Sequence, residues 1–452
     1  MTTWSDHPSA DDSLDRARLV DALHDMLKAP GLATPLVVGL YGGWGMGKTS
    51  VMGMLRDRLT AQPQPPLTLW FDAWKYARSE SALWRALLLE VVEALGRQLP
   101  ERMEREEDRQ ALEVELELLR ATLYRSQTVT DTGDLQVNWQ AAVPLAVGLG
   151  LRLASFGLAD KLGLDNLVNK AGKDAEQAMK VLERRQIVSF REHIQSLEQF
   201  QKTLDGLIER EVRKRGLTLH VFIDDLDRCL PEEALGALEA VKLFLDLKGC
   251  VFILGMDRDV VERAIRTCFP PVTEPDGNGG DKLVSRVDPR QYLDKIIQLP
   301  VTLPPLSPGQ IGYYLSGLLD PDKGFPPALA GCRDLIEIAA PPNPRTLKRV
   351  LNVLALLLRL DSGGADAGRA RLLAKVVLIQ VLFDDAWRRV VEEPAWLLQL
   401  EKAAKGEQTP HVPPDLLKDQ PRLKALMREA PLFSAVPGDR LEGLIAQTKV
   451  TA

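Results

Sequence analysis

The chain has few cysteines and no excess of basic residues. Its four cysteines, at positions 229, 250, 268 and 332, form no C-x-x-C pair and have no nearby histidines, which argues against a cysteine metal motif. Scattered thiols of this kind are typical of a reducing, cytoplasmic protein. A net charge of −6 gives no general attraction to nucleic acid or anionic lipid, so no clear nucleic-acid binding is expected. The polar, acidic N-terminus shows no signal peptide.

Long uninterrupted apolar runs are also scarce. The strongest, residues 141–159, is broken by Arg152, and its continuous part, 141–151, is too short to cross a bilayer. An arginine near the centre adds about 2.5–3.5 kcal/mol to the cost of insertion. A buried or partner-binding segment is therefore favoured, with membrane contact, peripheral to the inner membrane, as the alternative. The 452 residues, 45% hydrophobic and 27% charged, predict a globular protein of about two to four domains.

A glycine-rich stretch with the pattern G-x-x-x-x-G-K-[ST] carries the clearest chemistry. An apolar strand at 36–40 precedes it and a helix at 50–59 follows it. Glycines let backbone N–H groups point at a phosphate, while Lys48 reaches the β- and γ-phosphates and Thr49 coordinates Mg²⁺. The alternative is a glycine turn that binds nothing. The predicted nucleotide-binding residues are Gly42, Gly43, Trp44, Gly45, Met46, Gly47, Lys48, Thr49 and Ser50.

Acidic residues follow a second apolar strand, 219–223, at the end where ligands bind in parallel α/β sheets. Asp224 is the expected partner of the Mg²⁺ beside Thr49. Asp225 is placed to orient or deprotonate the attacking water, and Asp227 is the reserve candidate. Turn formation or helix capping is the alternative interpretation of these acids.

Three more strands are predicted, at 67–71, 251–255 and 296–301, alternating with helices. This order predicts an α/β fold with a mostly parallel, five-stranded sheet covered on both faces. Asp257, after the strand at 251–255, is interpreted either as a polar sensor of the γ-phosphate or as the N-cap of the next helix. Residues 270–281, rich in proline, glycine and aspartate, predict a flexible loop.

Together these residues resemble the KAP family of P-loop NTPases. The resemblance covers most of residues 10–360, and its family-specific segments are FDAWKY at 71–76, LWRAL at 83–87, DDLDR at 224–228, YLDKIIQLP at 292–300 and NPRTLKR at 343–349. It implies the strand order 5-1-4-3-2, ATP as the nucleotide, a C-terminal helical lid, and an ATP-driven switch. Relatedness to AAA+ and STAND proteins is part of that resemblance. Bacterial members include a phage-exclusion protein, which suggests antiviral defence at the level of the family.

The segment Asn343-Pro344-Arg345 is a well-formed helix start, with Asn343 as N-cap and Pro344 at the first helical position. Arg345 then stands at the positive end of the helix dipole, a placement that suits an approaching anion. By resemblance to related ATPases, Arg345 contacts the γ-phosphate when the lid closes. The alternative is an exposed arginine paired with a surface acid.

Candidate arginine fingers, which complete a neighbouring subunit's site, follow from the same relatives. If one acts in this way, the active form is a homo-oligomer. For the two arginines before the last strand, a plain surface role is the favoured alternative. The candidates are Arg228, Arg286 and Arg290.

The spacing between Thr49 and Asp224 is far larger than one helix and one strand require. We therefore predict a helical insertion at 101–214 between a first core part, 1–100, and a second, 215–305, with a lid and tail at 306–452. The insertion has a charged arm at 101–125 and a second arm at 174–215, which pair as an antiparallel stalk. It is the expected site of an unidentified protein partner. The apolar faces of the arms comprise Leu112, Leu116, Leu119, Leu123, Phe190, Ile194, Leu197, Leu204 and Ile208.

Two smaller predictions concern packing. The aromatic residues of the 71–84 region are expected to pack in the core, and 369–391 is expected to form one strong apolar helix. No effector domain such as a nuclease or protease is recognisable. The leading function is a Mg²⁺-dependent ATPase switch, the alternative is a non-hydrolysing ATP-binding scaffold, and a small-molecule phosphotransferase is disfavoured by the extra strand and the lid.

Overall fold

The computed structural model describes residues 3–7, 12–29, 31–77, 83–125, 200–243, 247–275, 281–284, 287–320, 325–360 and 366–451. The chain divides into two compact units. The sheet unit comprises Leu23–Gly42 and Met54–Thr302, and the helical unit comprises Met1–Ala22, Gly43–Gly53 and Leu303–Ala452. The glycine-rich loop therefore groups with the C-terminal helices.

The sheet unit contains a five-stranded parallel sheet of order β2-β3-β4-β1-β7. This is the predicted order, with β7 as the fifth strand. Strands β3 and β4 are buried at every residue and β1 at every residue after Leu36, because helices cover both faces of the sheet. This burial explains their continuous apolar sequences. The strands are β1 (Leu36–Tyr41), β2 (Leu67–Asp72), β3 (Leu219–Asp224), β4 (Cys250–Met256), β5 (Val272–Pro275), β6 (Asp281–Val284) and β7 (Leu299–Thr302).

Helices surround this sheet and build the second unit. The helices are α1 (Ala17–Leu27), α2 (Lys48–Thr60), α3 (Ala73–Tyr76), α4 (Leu83–Gln98), α5 (Glu106–Arg125), α6 (Pro231–Leu243), α7 (Arg258–Cys268), α8 (Pro289–Asp294), α9 (Pro308–Leu318), α10 (Arg333–Ala339), α11 (Pro344–Leu360), α12 (Ala367–Leu382), α13 (Asp384–Glu392), α14 (Trp396–Lys405), α15 (Pro414–Asp419), α16 (Pro421–Arg428) and α17 (Gly438–Thr448). Helix 200–207 continues as a π-helix, Ile208–Arg213.

The parallel register brings the carboxyl ends of the strands to one edge of the sheet. Asp72 at the end of β2 lies opposite Asp224 at the end of β3, and Tyr41 at the end of β1 lies opposite Met256. The backbone N–H of Gly42 donates to the carbonyl of Met256 at 3.2 Å. The glycine-rich loop therefore leaves the sheet at the edge where the acidic residues follow β3.

The described part of the insertion is helical, and it packs into the core of the sheet unit. The four leucines of the first-arm stripe lie on α5 and are buried. Leu204 and Ile208 of the second arm are buried in the same core. An ion pair of 2.5 Å between Arg210 and Glu115 joins the two arms. Phe190, Ile194, Leu197 and the apolar run 141–159 lie outside the described residues. Among the residues that are described, no helix is both long and apolar enough to cross a membrane.

Residues 270–281 are not simply a loop, which corrects the prediction made from their composition. Strands β5 and β6 pair antiparallel, with Val272 opposite Val284 and Pro275 opposite Asp281. β-branched residues on both sides of a turn-forming stretch favour such a hairpin, whereas the glycines and aspartates between them dominate the composition.

The helical unit has its own apolar core, built mainly from α11, α12 and α14. The predicted helix 369–391 is interrupted at Phe383, whose φ of −133° and ψ of 70° end α12 before α13 begins. The prediction of one helix was wrong because apolar periodicity does not reveal where the chain turns. Buried Lys375 of α12 donates to the carbonyls of Glu429 and Pro431, which fixes the segment after α16.

Candidate nucleotide-binding site

The glycine-rich loop has a backbone that only glycine adopts without strain at two positions. Gly45 has a φ of +82° and Gly47 a φ of +92°, both in the left-handed region. The N–H of Val51 donates to the carbonyl of Gly47 at 3.0 Å, which starts α2 directly behind the loop. Lys48 is 7% exposed, and its Nζ lies 3.4 Å from the carbonyl oxygen of Gly43. The loop therefore curls over its own lysine at a helix N-terminus, an arrangement suited to an anion.

The first turn of α11 packs directly on this loop. Asn343 caps the helix through Oδ1, which accepts from the N–H groups of Arg345 and Thr346 at 3.0 and 3.3 Å. Its Nδ2 donates to the carbonyl of Trp44 at 2.7 Å. A Cβ at Gly45 would lie 2.6 Å from Asn343 Oδ1 and 2.9 Å from the Cβ of Arg345, so this close approach requires glycine. The predicted helix start is confirmed, and it contacts the glycine-rich loop.

Arg345 has two partners in the helical unit. Its guanidinium carbon lies 4.5 Å from the ring centroid of Trp44, a cation–π contact. Its Nε lies 3.4 Å from Oδ2 of Asp6. Trp44 itself is 62% exposed, so its ring serves the arginine without being part of a packed core. The arginine thus lies beside the loop and is paired with a surface acid, the alternative that the sequence left open.

The acids after β3 form a compact turn in the sheet unit. Asp224 is buried, and its Oδ1 accepts from the N–H of Asp225 at 3.0 Å. Asp225 has a φ of +59°, an unusual backbone for a residue other than glycine. Its carboxylate pairs with Arg228 at 3.0 Å across the short 3₁₀ turn that contains Asp227.

The environment of Asp225 favours its protonated form. Burial, followed by the negative charge of Asp224, raises the pKa of Asp225 to about 6, and Arg228 opposes that shift. The nearby charge of Asp72 adds to the increase. A carboxyl group that titrates close to neutrality at a strand end is a candidate for proton transfer or water orientation.

Other residues of the acidic edge have mainly structural contacts. Asp72 caps α3 by accepting from the N–H of Lys75 at 3.3 Å. Phe71 is buried and stacks on Tyr76 with 4.9 Å between ring centroids, as expected of core aromatics. Trp74 is instead 45% exposed and lies under the guanidinium of Arg228, 5.9 Å from ring centroid to Cζ, so its predicted core role was wrong. The four-residue helix α3 is too short to turn every aromatic residue toward the core.

Asp257 is the N-cap of α7, accepting from the N–H groups of Asp259 and Val260. This agrees with one of its two interpretations. Arg290 is 73% exposed and lies 3.7 Å from Glu262, a buried acid that also pairs with Arg258. Arg286 lies outside the described residues.

Each of the two predicted Mg²⁺ ligands, taken within its own unit, offers an oxygen of the kind that Mg²⁺ binds. Thr49 offers a hydroxyl in the first turn of α2, directly after the lysine, and Asp224 offers a buried carboxylate at the end of β3. Hydroxyl and carboxylate oxygens are the ligands that Mg²⁺ uses beside phosphate oxygens and water.

Sequence reasoning missed Asp6 and the role of Trp44. The motif allows any residue at position 44, so it gives no role to Trp44. The residue type itself was the available signal, because a large aromatic side chain between loop glycines has no core in which to be buried. Asp6 gave no local signal, since its partner lies 339 positions away.

Comparison with known proteins identifies the family of this fold and loop. The KAP family P-loop domain matches residues 16–360, about three quarters of the chain, and the chain therefore belongs to the KAP family of P-loop NTPases. No curated protein matches the sequence significantly.

Two solved structures from Aeropyrum pernix are similar to the chain. One is the ORC1 protein in complex with DNA, with 13% identity and a TM-score of 0.37, covering 98% of this chain and 84% of that one. The other is the ORC2 protein in ADPNP–ADP complexes, with 11% identity and a TM-score of 0.37, covering 92% and 95%.

Proposed function

We propose that this member of the KAP family is a Mg²⁺-dependent ATPase that works as a molecular switch. The observation that carries the proposal is the glycine-rich loop, with its left-handed glycines and the first turn of α11 packed on it. A loop that only reversed the chain direction would need neither the buried Lys48 nor a helix start whose Asn343 contacts the Trp44 carbonyl. The family membership supports a nucleotide as the anion.

We assign phosphate binding to the loop backbone and to Lys48, whose ammonium group neutralises charge on the β- and γ-phosphates. Thr49 and Asp224 are the residues that would hold Mg²⁺. The ion would supply charge neutralisation on the transferred phosphoryl group. The order of the elements supports this assignment, because β1 and β3 are parallel and the loop and the acids follow their carboxyl ends.

Asp225 is assigned the role of orienting or deprotonating the attacking water, with Asp227 as the reserve. Its raised pKa, about 6, makes its carboxylate a better base than an ordinary aspartate. The ion pair with Arg228 occupies this carboxylate. An ATPase whose base is held in an ion pair is expected to turn over slowly until that pair is released, which suits a switch.

Arg345 is assigned to the γ-phosphate. It lies beside Trp44 in the loop, at the positive end of the α11 dipole, where an incoming anion is stabilised. ATP and ADP then differ in whether this arginine has a phosphate partner. The helical unit reads the state of the nucleotide through the first turn of α11.

We assign the downstream effect of the ATPase switch to an unidentified protein partner, and the insertion is the proposed docking site for that protein. Homo-oligomerisation belongs to the proposal if Arg228, Arg286 or Arg290 completes a neighbour's site. The family resemblance extends the proposed function to antiviral defence, which a plaque assay on cells with and without the protein tests.

The alternative function is an ATP-binding scaffold that does not hydrolyse ATP. The observation that favours it is the Asp225–Arg228 ion pair.

Phosphate release from ATP by the purified chain, with Mg²⁺ and with EDTA, tests the proposal. The matched variants are Lys48→Ala in the loop and Asp225→Asn after β3. We expect metal-dependent turnover that both substitutions reduce by about two orders of magnitude. Tight ATP binding without turnover in the wild type would support the scaffold, and turnover unchanged in both variants would contradict the assigned residues.

A further inference from the structure

The N-terminal segment, defined here as residues 3–7, runs along α11 in the direction opposite to the helix. Trp4 pairs with Asn352 twice, its N–H donating to Oδ1 and its carbonyl accepting from Nδ2, both at 2.9 Å. The carbonyl of Ser5 accepts from Nζ of Lys348 at 2.7 Å, one helical turn earlier. Asp6 then meets Arg345, in the first turn of the helix. Three successive residues of the segment thus contact three successive turns of α11.

Trp4 anchors this segment. Its ring is 8% exposed and stacks on Phe325 at 3.8 Å between centroids, while its indole N–H donates to the carbonyl of Leu318 at 3.1 Å. Burial of a tryptophan with a satisfied N–H fixes the chain strongly. Asp6 follows Trp4 by two residues, so the anchored tryptophan fixes its position although the side chain of Asp6 is largely exposed.

The position of Asp6 is one that suits an anion generally. It lies at the N-terminal turn of α11, near the cationic side chains of Arg345 and Lys348. Under the proposed function, the γ-phosphate is the other anion that Arg345 meets. Both anions need the same guanidinium, so they compete.

We infer that Asp6 is a built-in brake on ATP recognition, an internal carboxylate that holds Arg345 until the γ-phosphate displaces it. The inference rests on the proposed role of Arg345 and adds its regulation. Trp44 keeps the arginine beside the loop during the exchange, because the cation–π contact does not depend on Asp6. The pair is partly exposed, so the brake is weak and easily released.

The test measures ATP and ADP affinities by calorimetry with Mg²⁺ for the full chain and for Asp6→Asn. Removing the carboxylate is expected to strengthen ATP binding about two- to fivefold, the range for an exposed ion pair, and to affect ADP less. Ser5→Ala is the matched control, since it removes a hydroxyl that accepts from the N–H of His7 and keeps the carbonyl that binds Lys348. Thermal unfolding of each variant checks that the fold is intact.

Arg345→Ala and the double variant of Asp6→Asn with Arg345→Ala complete a double-mutant cycle. The cycle distinguishes a failure of the brake from a failure of the proposed role of Arg345. If Asp6→Asn raises the ATP-to-ADP preference in the wild-type background and has no effect without Arg345, the brake is supported. If Arg345→Ala lowers the preference while Asp6→Asn leaves it unchanged, the brake is overturned and the proposed function stands. If Arg345→Ala leaves the preference unchanged, the role of Arg345 fails and the brake fails with it.

Discussion

Two arginine–carboxylate pairs of this protein can be compared: Asp225 with Arg228 in the sheet unit, and Asp6 with Arg345 in the helical unit. Asp225 is 18% exposed and stands among other acids, so its charge is costly and its pKa is raised to about 6. Asp6 is 58% exposed. The first pair joins residues three apart, and the second joins residues that are distant in sequence.

The difference between the pairs indicates different functions. A half-buried carboxylate with a raised pKa suits the proton transfer that hydrolysis requires, and the neighbouring arginine tunes that pKa. An exposed carboxylate on an anchored segment contributes little binding energy and exchanges readily with another anion. We therefore expect the first pair to govern chemistry and the second to govern the preference for ATP.

The largest effect is expected for Asp225→Asn. Asparagine tolerates the left-handed backbone at this position, so the substitution removes charge without adding strain. Hydrolysis should fall about 100- to 1,000-fold while ATP binding is retained, as measured by single-turnover phosphate release and calorimetry. Asp227→Asn is the comparison; a larger loss there would exchange the roles of the two acids.

The same substitution should stabilise the fold. Because the pKa of Asp225 is higher in the folded protein than in the unfolded chain, its charge costs free energy above pH 6, and that cost disappears below about pH 4. Asp225→Asn should therefore raise the free energy of unfolding by about 1–3 kcal/mol at pH 7 and by much less at pH 4. Denaturant unfolding at the two pH values measures this, and equal effects at both would contradict the assigned pKa.

The next effect concerns the contact of α11 with the loop. Gly45→Ala should weaken ATP binding about tenfold or more, because it adds strain of about 1–3 kcal/mol at a positive φ and drives a Cβ into Asn343 and Arg345. Gly53→Ala in α2 is the matched control, since its Cβ would meet open space in a helix. Equal affinities of the two variants would show that the contact of α11 with the loop does not matter for ATP.

A smaller effect tests the tuning of Asp225. Hydrolysis should fall as the pH drops through about 6, because the carboxylate form is required. Arg228 lowers this pKa, so Arg228→Ala should move the midpoint of the pH–rate profile to higher pH. Arg290→Ala, whose partner is Glu262, should leave the midpoint in place even if it lowers the rate. An unmoved midpoint in Arg228→Ala would remove Asp225 as the titrating group.

The smallest effect separates the pair with the more exposed carboxylate, Asp6–Arg345, from the pair with the half-buried one, Asp225–Arg228. The gain in ATP affinity of Asp6→Asn should shrink when salt is raised from about 0.05 to about 0.5 M. Exposed charges are screened by salt, and the screening length falls below about 10 Å over this range. The pH midpoint set by Asp225 should respond less to the same change. Equal salt sensitivity of both measurements would contradict the contrast in burial.

Local rules predicted much of the fold. Strands β1 to β4 follow from continuous apolar sequences, and the start of α11 follows from the N-cap Asn343 and from Pro344. The loop and the acids after β3 follow from motifs whose residues are neighbours in sequence. Chemistry that depends on short spacing can be read from the chain.

Features that depend on distant contacts could not be predicted. The Asp6–Arg345 pair needs residues 3–7 to lie along α11, a placement set by the pocket for Trp4. The exposure of Trp74 depends on a four-residue helix, and the end of α12 at Phe383 depends on packing within the helical unit. The pairing of β5 with β6 was hidden by the proline-, glycine- and aspartate-rich composition of residues 270–281.

The most direct test of the central claim is equilibrium binding of ATP with Mg²⁺ to the wild-type chain and to Lys48→Ala, measured by calorimetry on folded protein. The account predicts that the wild type binds one ATP per chain and that the substitution weakens binding at least tenfold, because Lys48 neutralises phosphate charge inside the loop. Equal ATP affinities of the two proteins, or no binding by the wild type, would contradict a nucleotide site in this loop.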